Sequence, residues 1–370
     1  MIDSERLLKT FLEYVTIDSE TLSELEMALR LTSDLAAIGC EVWRDNAGAA
    51  IGSNGYNIYA KLAGVGEPFL FSAHMDTVKP GNGVKPIVRD GVITSSGDTV
   101  LGSDDKSGLA GIIEALRTVT EKKIPHRAAE IIFTIAEEGG LNGVKNADLS
   151  SLISKEGVVL DCVADVGSII ISAPGQARLT AVITGRSSHA GAEPEKGVSA
   201  IQAACDGISA MKLLRIDAET TANIGTFKSE FATNIVPEKA LVIGEARSRN
   251  DGKLNAQIGH MKKCFEDACL KYGATLELQV DTQYLSYSFE QDDQLVRKIS
   301  DACRKIGQKP VFEASGGGSD ANIMNRKGIK TVVVSTGMDK VHTTSERITV
   351  KNLEDTARLC IALMTDLPAQ

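Results

Sequence analysis

At 370 residues the chain is longer than one domain usually needs, so two domains are expected, each burying its own core. A hydrophobic content of 43% with 24% charged residues is that of a soluble globular protein, and a net charge of -9 offers no basic stripe to displace counterions, which excludes a nucleic-acid partner. Seven cysteines, an odd number at irregular spacing, point to reduced thiols and a cytoplasmic protein. The opening MIDSERLLKTF carries acids where a signal peptide needs basic residues. No stretch approaches the ~18 apolar residues of a membrane span, so no membrane is expected.

Taken in order, residues 3–16 and 20–38 have helical periodicity, with 16–19 supplying cap-type residues before the second helix. Residues 40–43 and 57–62 read as strands, and 61–68 as a turn into a strand that ends Leu70-Phe-Ser-Ala-His74-Met-Asp76. Alternate residues of an extended chain share a side, so His74 and Asp76 project together from that strand's end, where a carboxylate can orient a ligating imidazole. A polar, Gly-rich loop, 80–98, follows, holding the short apolar runs 86–88 and 92–94. Asp104 and Asp105 then fall at the N-terminus of a helix over 109–119, where free N–H groups favour carboxylates; as residues they read as a cap.

The strand 129–136 terminates in Glu137 and Glu138, and the shorter run 157–160 ends at Asp161. Adjacent carboxylates repel unless a cation or proton lies between them. Strands alternating with helices indicate a parallel or mixed α/β sheet, whose ligands collect at the carboxyl ends of the strands. His74, Asp76, Glu137, Glu138 and Asp161 all fall at such ends, more than capping alone explains.

From about 176 to 288 the order becomes strand (178–185), helix (198–211), strand (223–227), strand (240–246), helix (260–272), strand (275–284), that of a split βαβ, ferredoxin-like domain. It is read as an insertion, because α/β texture resumes with a helix at 293–305, a Gly-rich loop at 315–320, a strand at 331–335, His342 in a polar loop and a closing helix at 353–367. The expected division is therefore 1–175 with 289–370 as one domain and 176–288 as the other. The Gly-rich loop lacks the Gly-Lys-Ser/Thr ending of a phosphate-binding loop.

Two His residues and several carboxylates make a set suited to two divalent ions about 3.5–4 Å apart sharing a bridging carboxylate. His74-Met-Asp76, Gly102-Ser-Asp104-Asp-Lys106, Glu137-Glu138, Asp161 and His342 together resemble the co-catalytic zinc exopeptidase and aminoacylase family, which includes carboxypeptidase G, succinyl-diaminopimelate desuccinylase, aminoacylase and peptidase T. The resemblance covers nearly the whole chain, including Gly185-Arg-Ser-Ser-His-Ala-Gly191. Ala173-Pro-Gly-Gln176 and Gly316-Gly-Gly-Ser-Asp-Ala-Asn322 look most like the peptidase T branch. It implies a mixed sheet flanked by helices with an inserted α+β lid and dimerisation domain.

It further implies that His74 and Asp161 hold one zinc, Glu138 and His342 the other, with cobalt or manganese as substitutes in vitro. Asp104 would bridge them, Asp76 would orient His74 and Glu137 would be the general base. His189 would steady the oxyanion across the interface of a homodimer, Asn234 and Arg247 would contact the substrate's polar end, and Gly317 and Ser319 its backbone. The activity implied is release of the N-terminal residue from short peptides. Because the stretch from His189 to Gly197 is similar to the general amidohydrolase form and not to the His-Pro-Gly form of tripeptidases, N-acyl amino acids are the alternative substrates. A non-catalytic metal- or peptide-binding protein is the alternative of another class; it would have lost the base or a ligand, and neither is missing here.

Overall fold

The computed structural model describes residues 2–367. Met1 and 368–370, the outer ends of the expected first domain, lie outside them. The chain divides into two compact units: one comprises the residues up to Ile171, Phe289–Ala314 and those from Ser319 onward, the other Ser172–Ser288 with Ser315–Gly318. The expected boundary differs from this at its start, 176 against Ser172, and in the Gly-rich loop, most of which groups with the second unit.

In the first unit four strands run parallel side by side: Arg127–Thr134, Val65–His74, Glu156–Val159 and Lys330–Val334. Ile58–Leu62 and then Glu41–Arg44 extend one side antiparallel, and Ser168–Ala173 extends the other. The parallel strands are near-continuous apolar runs because both faces are covered. Helix Ser103–Glu121 packs on Val65–His74 and against helices Ser4–Val15 and Val350–Met364. Almost every residue from Ser103 to Val119 is buried, as in a helix surrounded by protein. Helices Gln294–Lys305 and Asp320–Arg326 pack on Lys330–Val334. The parallel topology aligns the strand exits, and His74, Ile135–Glu138 and Asp161 leave the sheet at the same edge.

The second unit is a five-stranded antiparallel sheet in the order Leu214–Arg215, Thr220–Lys228, Lys239–Ser248, Gly175–Thr184, Thr275–Tyr284. Helices Ala200–Ala210 and Asp251–Tyr272 pack on it around Leu179, Ile183, Met261 and Phe265, giving the expected split-βαβ order. Gly207 permits the close approach of these two helices, since a Cβ there would sit 2.7 Å from the Phe265 ring.

Three local expectations change, and one strand is added. The turn over 61–68 shrinks to Ala63 and Gly64, because Val65–Pro68 already belongs to the strand. The second helix begins at Leu25, not at 20: Glu20 bridges to Thr77, the Ser19 hydroxyl donates to the Met75 carbonyl, and the Thr77 N–H donates to the Ser19 carbonyl, so Ser19 of the cap-type residues serves the strand exit. The helix expected at 260–272 starts at Asp251, capped by the Asn250 side chain on the Lys253 N–H. Ser168–Ala173 is a strand for which periodicity gives no alternation. Among the described residues no helix is long and apolar enough to cross a membrane.

Candidate active site

His74 closes its strand 2% exposed, and Asp76, fully buried, lies with Oδ1 3.4 Å from His74 Nδ1. The same carboxylate accepts the Glu137 N–H at 2.9 Å, the Glu138 N–H at 3.2 Å and the Thr21 hydroxyl at 2.8 Å. One acid thus lies beside the imidazole and fixes the turn that carries two more acids. Ala136 in that turn has φ +48, sparsely populated for a residue with a Cβ, and its N–H is held by buried Glu24.

Asp104 sits at the start of its helix with non-helical torsions that turn its carboxylate out of the capping role. Its Oδ1 lies 3.0 Å from His74 Nε2 and its Oδ2 3.2 Å from His342 Nε2. Asp161 Oδ1 is 3.9 Å from His74 Nε2, and Glu138 Oε1 is 2.8 Å from His342 Nε2. Two sets result, His74–Asp104–Asp161 and Asp104–Glu138–His342, with the ligand atoms of each within 4.8 Å of one another. Glu137, 9% exposed, also groups with His74 and Glu138, but it makes neither of the imidazole contacts that Glu138 and Asp161 make.

The electrostatics follow from burying so many acids together. Burial pushes the Asp161 and Glu137 carboxyls well above the usual range, Asp161 further by Asp104 and Glu137 further by Asp161. Burial opposes ionisation of Asp104 as well, but His342 and His74 outweigh it and hold that carboxyl below the usual range. Burial likewise disfavours charge on His74, yet Asp104, Asp76 and Asp161 lift it well above its ordinary value. Hydrogen bonds to Asp104 and Glu138 raise His342 to about 10. Ionised together, these carboxylates need positive charge among them. Imidazole nitrogens and carboxylate oxygens at this spacing are a donor set that fits divalent cations, and Asp104, with one oxygen toward each His, fits a bridge.

Three neighbours go beyond the residues that the motifs single out for roles. Asp105, fully buried, accepts the His74 backbone N–H at 3.1 Å from behind the strand end, and Gly108 leaves room for it: a Cβ there would meet Asp105 Oδ1 at 2.6 Å. Asp320, 1% exposed, accepts the Thr134 hydroxyl, leaves Oδ1 without a partner, and is pushed to about 6 by burial. Glu346, 1% exposed, receives the backbone of the Asp104 turn. Lys106 of the Asp104-Asp-Lys106 stretch points elsewhere, donating to the Ile17 carbonyl, and burial lowers it to about 8.

The remaining expected positions have local partners of their own. His189 and Asn234 are exposed in the second unit on adjoining segments, with the Ala190 N–H donating to the Asn234 carbonyl at 2.8 Å. Arg247, also there, is paired with Glu245 on its own strand at 2.8 Å. The Gly317 N–H donates to Ser315 Oγ, and the Ser319 N–H to Asn322 Oδ1 at the start of helix Asp320–Arg326.

Residues 70–366 match the model of peptidase family M20/M25/M40. The chain is 41% identical over 368 residues to the YqjE protein of Bacillus subtilis (strain 168), covering 99% of each. Among solved structures it is similar to an aminopeptidase PepT from Bacillus cereus ATCC 10987, with 43% identity, 98% of each chain covered and a TM-score of 0.92. It is likewise similar to a tripeptidase from Staphylococcus aureus subsp. aureus mu50, with 38% identity, 99% of this chain and 98% of that one covered, and a TM-score of 0.94. The chain belongs to peptidase family M20/M25/M40 and is a peptidase T-like hydrolase of the metallopeptidase kind.

Proposed function

We propose that the chain releases the N-terminal residue from short peptides, with two zinc ions held between His74, Asp161, Asp104, Glu138 and His342. The observation that carries this reading is Asp104, whose two carboxylate oxygens face the two imidazoles at 3.0 and 3.2 Å. Divalent ions in such a set supply Lewis acidity, acidifying water and polarising a carbonyl. The chain supplies the rest. Asp76 keeps the His74 ring and the Glu137–Glu138 backbone in register. Glu137, beside a ligand but without a close imidazole contact of its own, takes the proton of the attacking water as the C–O bond forms and passes it to the amine as the C–N bond breaks.

His189 fits an oxyanion donor. Its Nδ1 accepts the Gly191 and Ala192 N–H groups at 3.1 and 3.0 Å, which fixes the neutral ring as the Nε2–H tautomer with a donor directed outward. We place it at the site of a partner protomer in a cytoplasmic homodimer joined through the second unit. Mixing Glu137→Ala with His189→Ala protomers, each inactive alone, is expected to restore up to about a quarter of wild-type turnover, since half the dimers would carry one complete site. If subunit exchange is demonstrated and no activity returns, His189 works within its own subunit or serves only the fold.

Asn234, Arg247, Gly317 and Ser319 are proposed to meet the substrate. A peptide carboxylate at Arg247 would compete with Glu245 for the guanidinium. The likeness to an aminopeptidase and a tripeptidase favours peptides over N-acyl amino acids. Turnover of di- and tripeptides against N-acetyl amino acids, with zinc, cobalt or manganese added, tests the assignment. A higher kcat/KM for a peptide is expected; release of no amino acid from any peptide ends the aminopeptidase reading.

A further inference from the structure

The turn Gly102–Asp104 has to present Asp104 with both oxygens outward, yet it leads into a long helix across the non-helical torsions of Asp104 and Asp105, and its own N–H groups need acceptors. If the Asp104 carboxylate took up those N–H groups itself, the cluster would lose its shared acid. The N–H groups are satisfied from far along the chain instead. Glu346 Oε2 accepts the Gly102 N–H at 2.8 Å, and Oε1 accepts the Asp104 N–H at 2.9 Å and the Ser103 hydroxyl at 2.7 Å. Glu346 is 1% exposed, so this carboxylate is desolvated and depends on those three donors.

Glu346 also ends the loop that carries His342. Within that loop the Glu346 N–H donates to the Thr343 carbonyl at 3.1 Å, and the Thr343 hydroxyl donates to the Lys340 carbonyl at 2.7 Å. His342 itself has φ +61, a left-handed conformation unusual for a side chain with a Cβ, so its loop is held to one path. The carboxylate therefore joins the turn bearing Asp104 to the loop bearing His342, across more than two hundred residues of sequence.

We propose that Glu346 is a positioning residue for the Asp104–Glu138–His342 set: it takes up the N–H groups of the Asp104 turn in place of Asp104 and thereby frees the shared carboxylate to face both imidazoles. This rests on the dinuclear reading of the site. Glu346 touches neither substrate nor ion and acts by fixing where Asp104 and His342 stand.

The test is metal binding, read by titration of the metal-stripped chain with zinc and by thermal melts with and without it. In Glu346→Gln the amide nitrogen confronts one of three donors, so one end of the link is lost at nearly constant volume. The expected result is a second ion bound about 10–100-fold more weakly, the range typical when a group supporting a ligand is changed, and a first ion weakened less, because its set shares only Asp104 while the other also holds His342. The melt of the stripped variant should stay near wild type while the added stabilisation from zinc shrinks. Ser103→Ala, which removes one donor and leaves the charge, should weaken the second ion less and in the same direction. It also keeps the proposal testable if Glu346→Gln fails to fold.

Wild-type uptake of two ions with equal affinity for both in the variants overturns the role of Glu346 and leaves the dinuclear site standing. A stripped variant that melts much lower but binds both ions normally makes Glu346 a support of the turn only, and also overturns it. Wild type binding a single ion overturns the dinuclear reading, and the role of Glu346 falls with it.

Discussion

Glu137→Ala is expected to lower kcat by about 10²–10⁴-fold while the chain still binds two ions per protomer. The reason is positional. Glu138 sends Oε1 to His342 Nε2 at 2.8 Å, whereas Glu137 is buried beside the cluster without an imidazole contact of that kind. Their backbone N–H groups bind the same Asp76 carboxylate, so the turn holds one side chain toward His342 and leaves the other for proton transfer. In the proposed mechanism, removing Glu137 deletes the proton acceptor and leaves the ligand set whole. Metal analysis and steady-state kinetics on the same preparation decide the matter. Intact turnover with one ion lost exchanges the roles of Glu137 and Glu138. A drop in kcat with KM nearly unchanged fits a group acting in the transition state.

What could be read in advance follows from how local each signal is. His74 and Asp76 sit two residues apart on a strand, and an extended backbone leaves one geometry for that spacing, so their partnership was legible. Glu137, Glu138 and Asp161 declared themselves by ending apolar runs, and parallel pairing then brought those ends together. The second unit's strand and helix order was equally plain, because its antiparallel strands and amphipathic helices keep their own periods. The Asp104–Asp105 pair was different. Both acids suit a helix start, and only contacts at thirty residues' remove separate them: Asp104 reaches His74 Nε2, Asp105 the His74 backbone. Glu346 and Asp320 were less legible still. Each acquires its part through partners some two hundred residues away, and a carboxylate in a polar loop or after a glycine run carries no local mark of being buried. The strand Ser168–Ala173 was hidden for another reason, since three consecutive isoleucines show no alternation for a period-two reading to find.

That ambiguity between adjacent acids leads to the largest effect expected of any single change. Asp104→Asn keeps the shape but replaces one carboxylate oxygen by an NH₂ group that has no lone pair to offer a cation. Because Asp104 belongs to both ligand sets, the substitution weakens both ions at once. Metal content should fall from two ions to fewer than one per chain at zinc concentrations that saturate wild type. Turnover should fall beyond the 10–100-fold that follows loss of a group supporting a ligand. Asp105→Asn makes the control. Its amide oxygen can still accept the His74 N–H, now held by Asp105 Oδ2 at 3.1 Å, so the strand end stays in place. The neutral side chain also suits a site where burial already pushes the Asp105 carboxyl well above the usual range. Two ions and most of the activity should survive there. If Asp105→Asn empties the site and Asp104→Asn does not, the bridge is Asp105. His74 would then be held from behind by something other than that carboxylate.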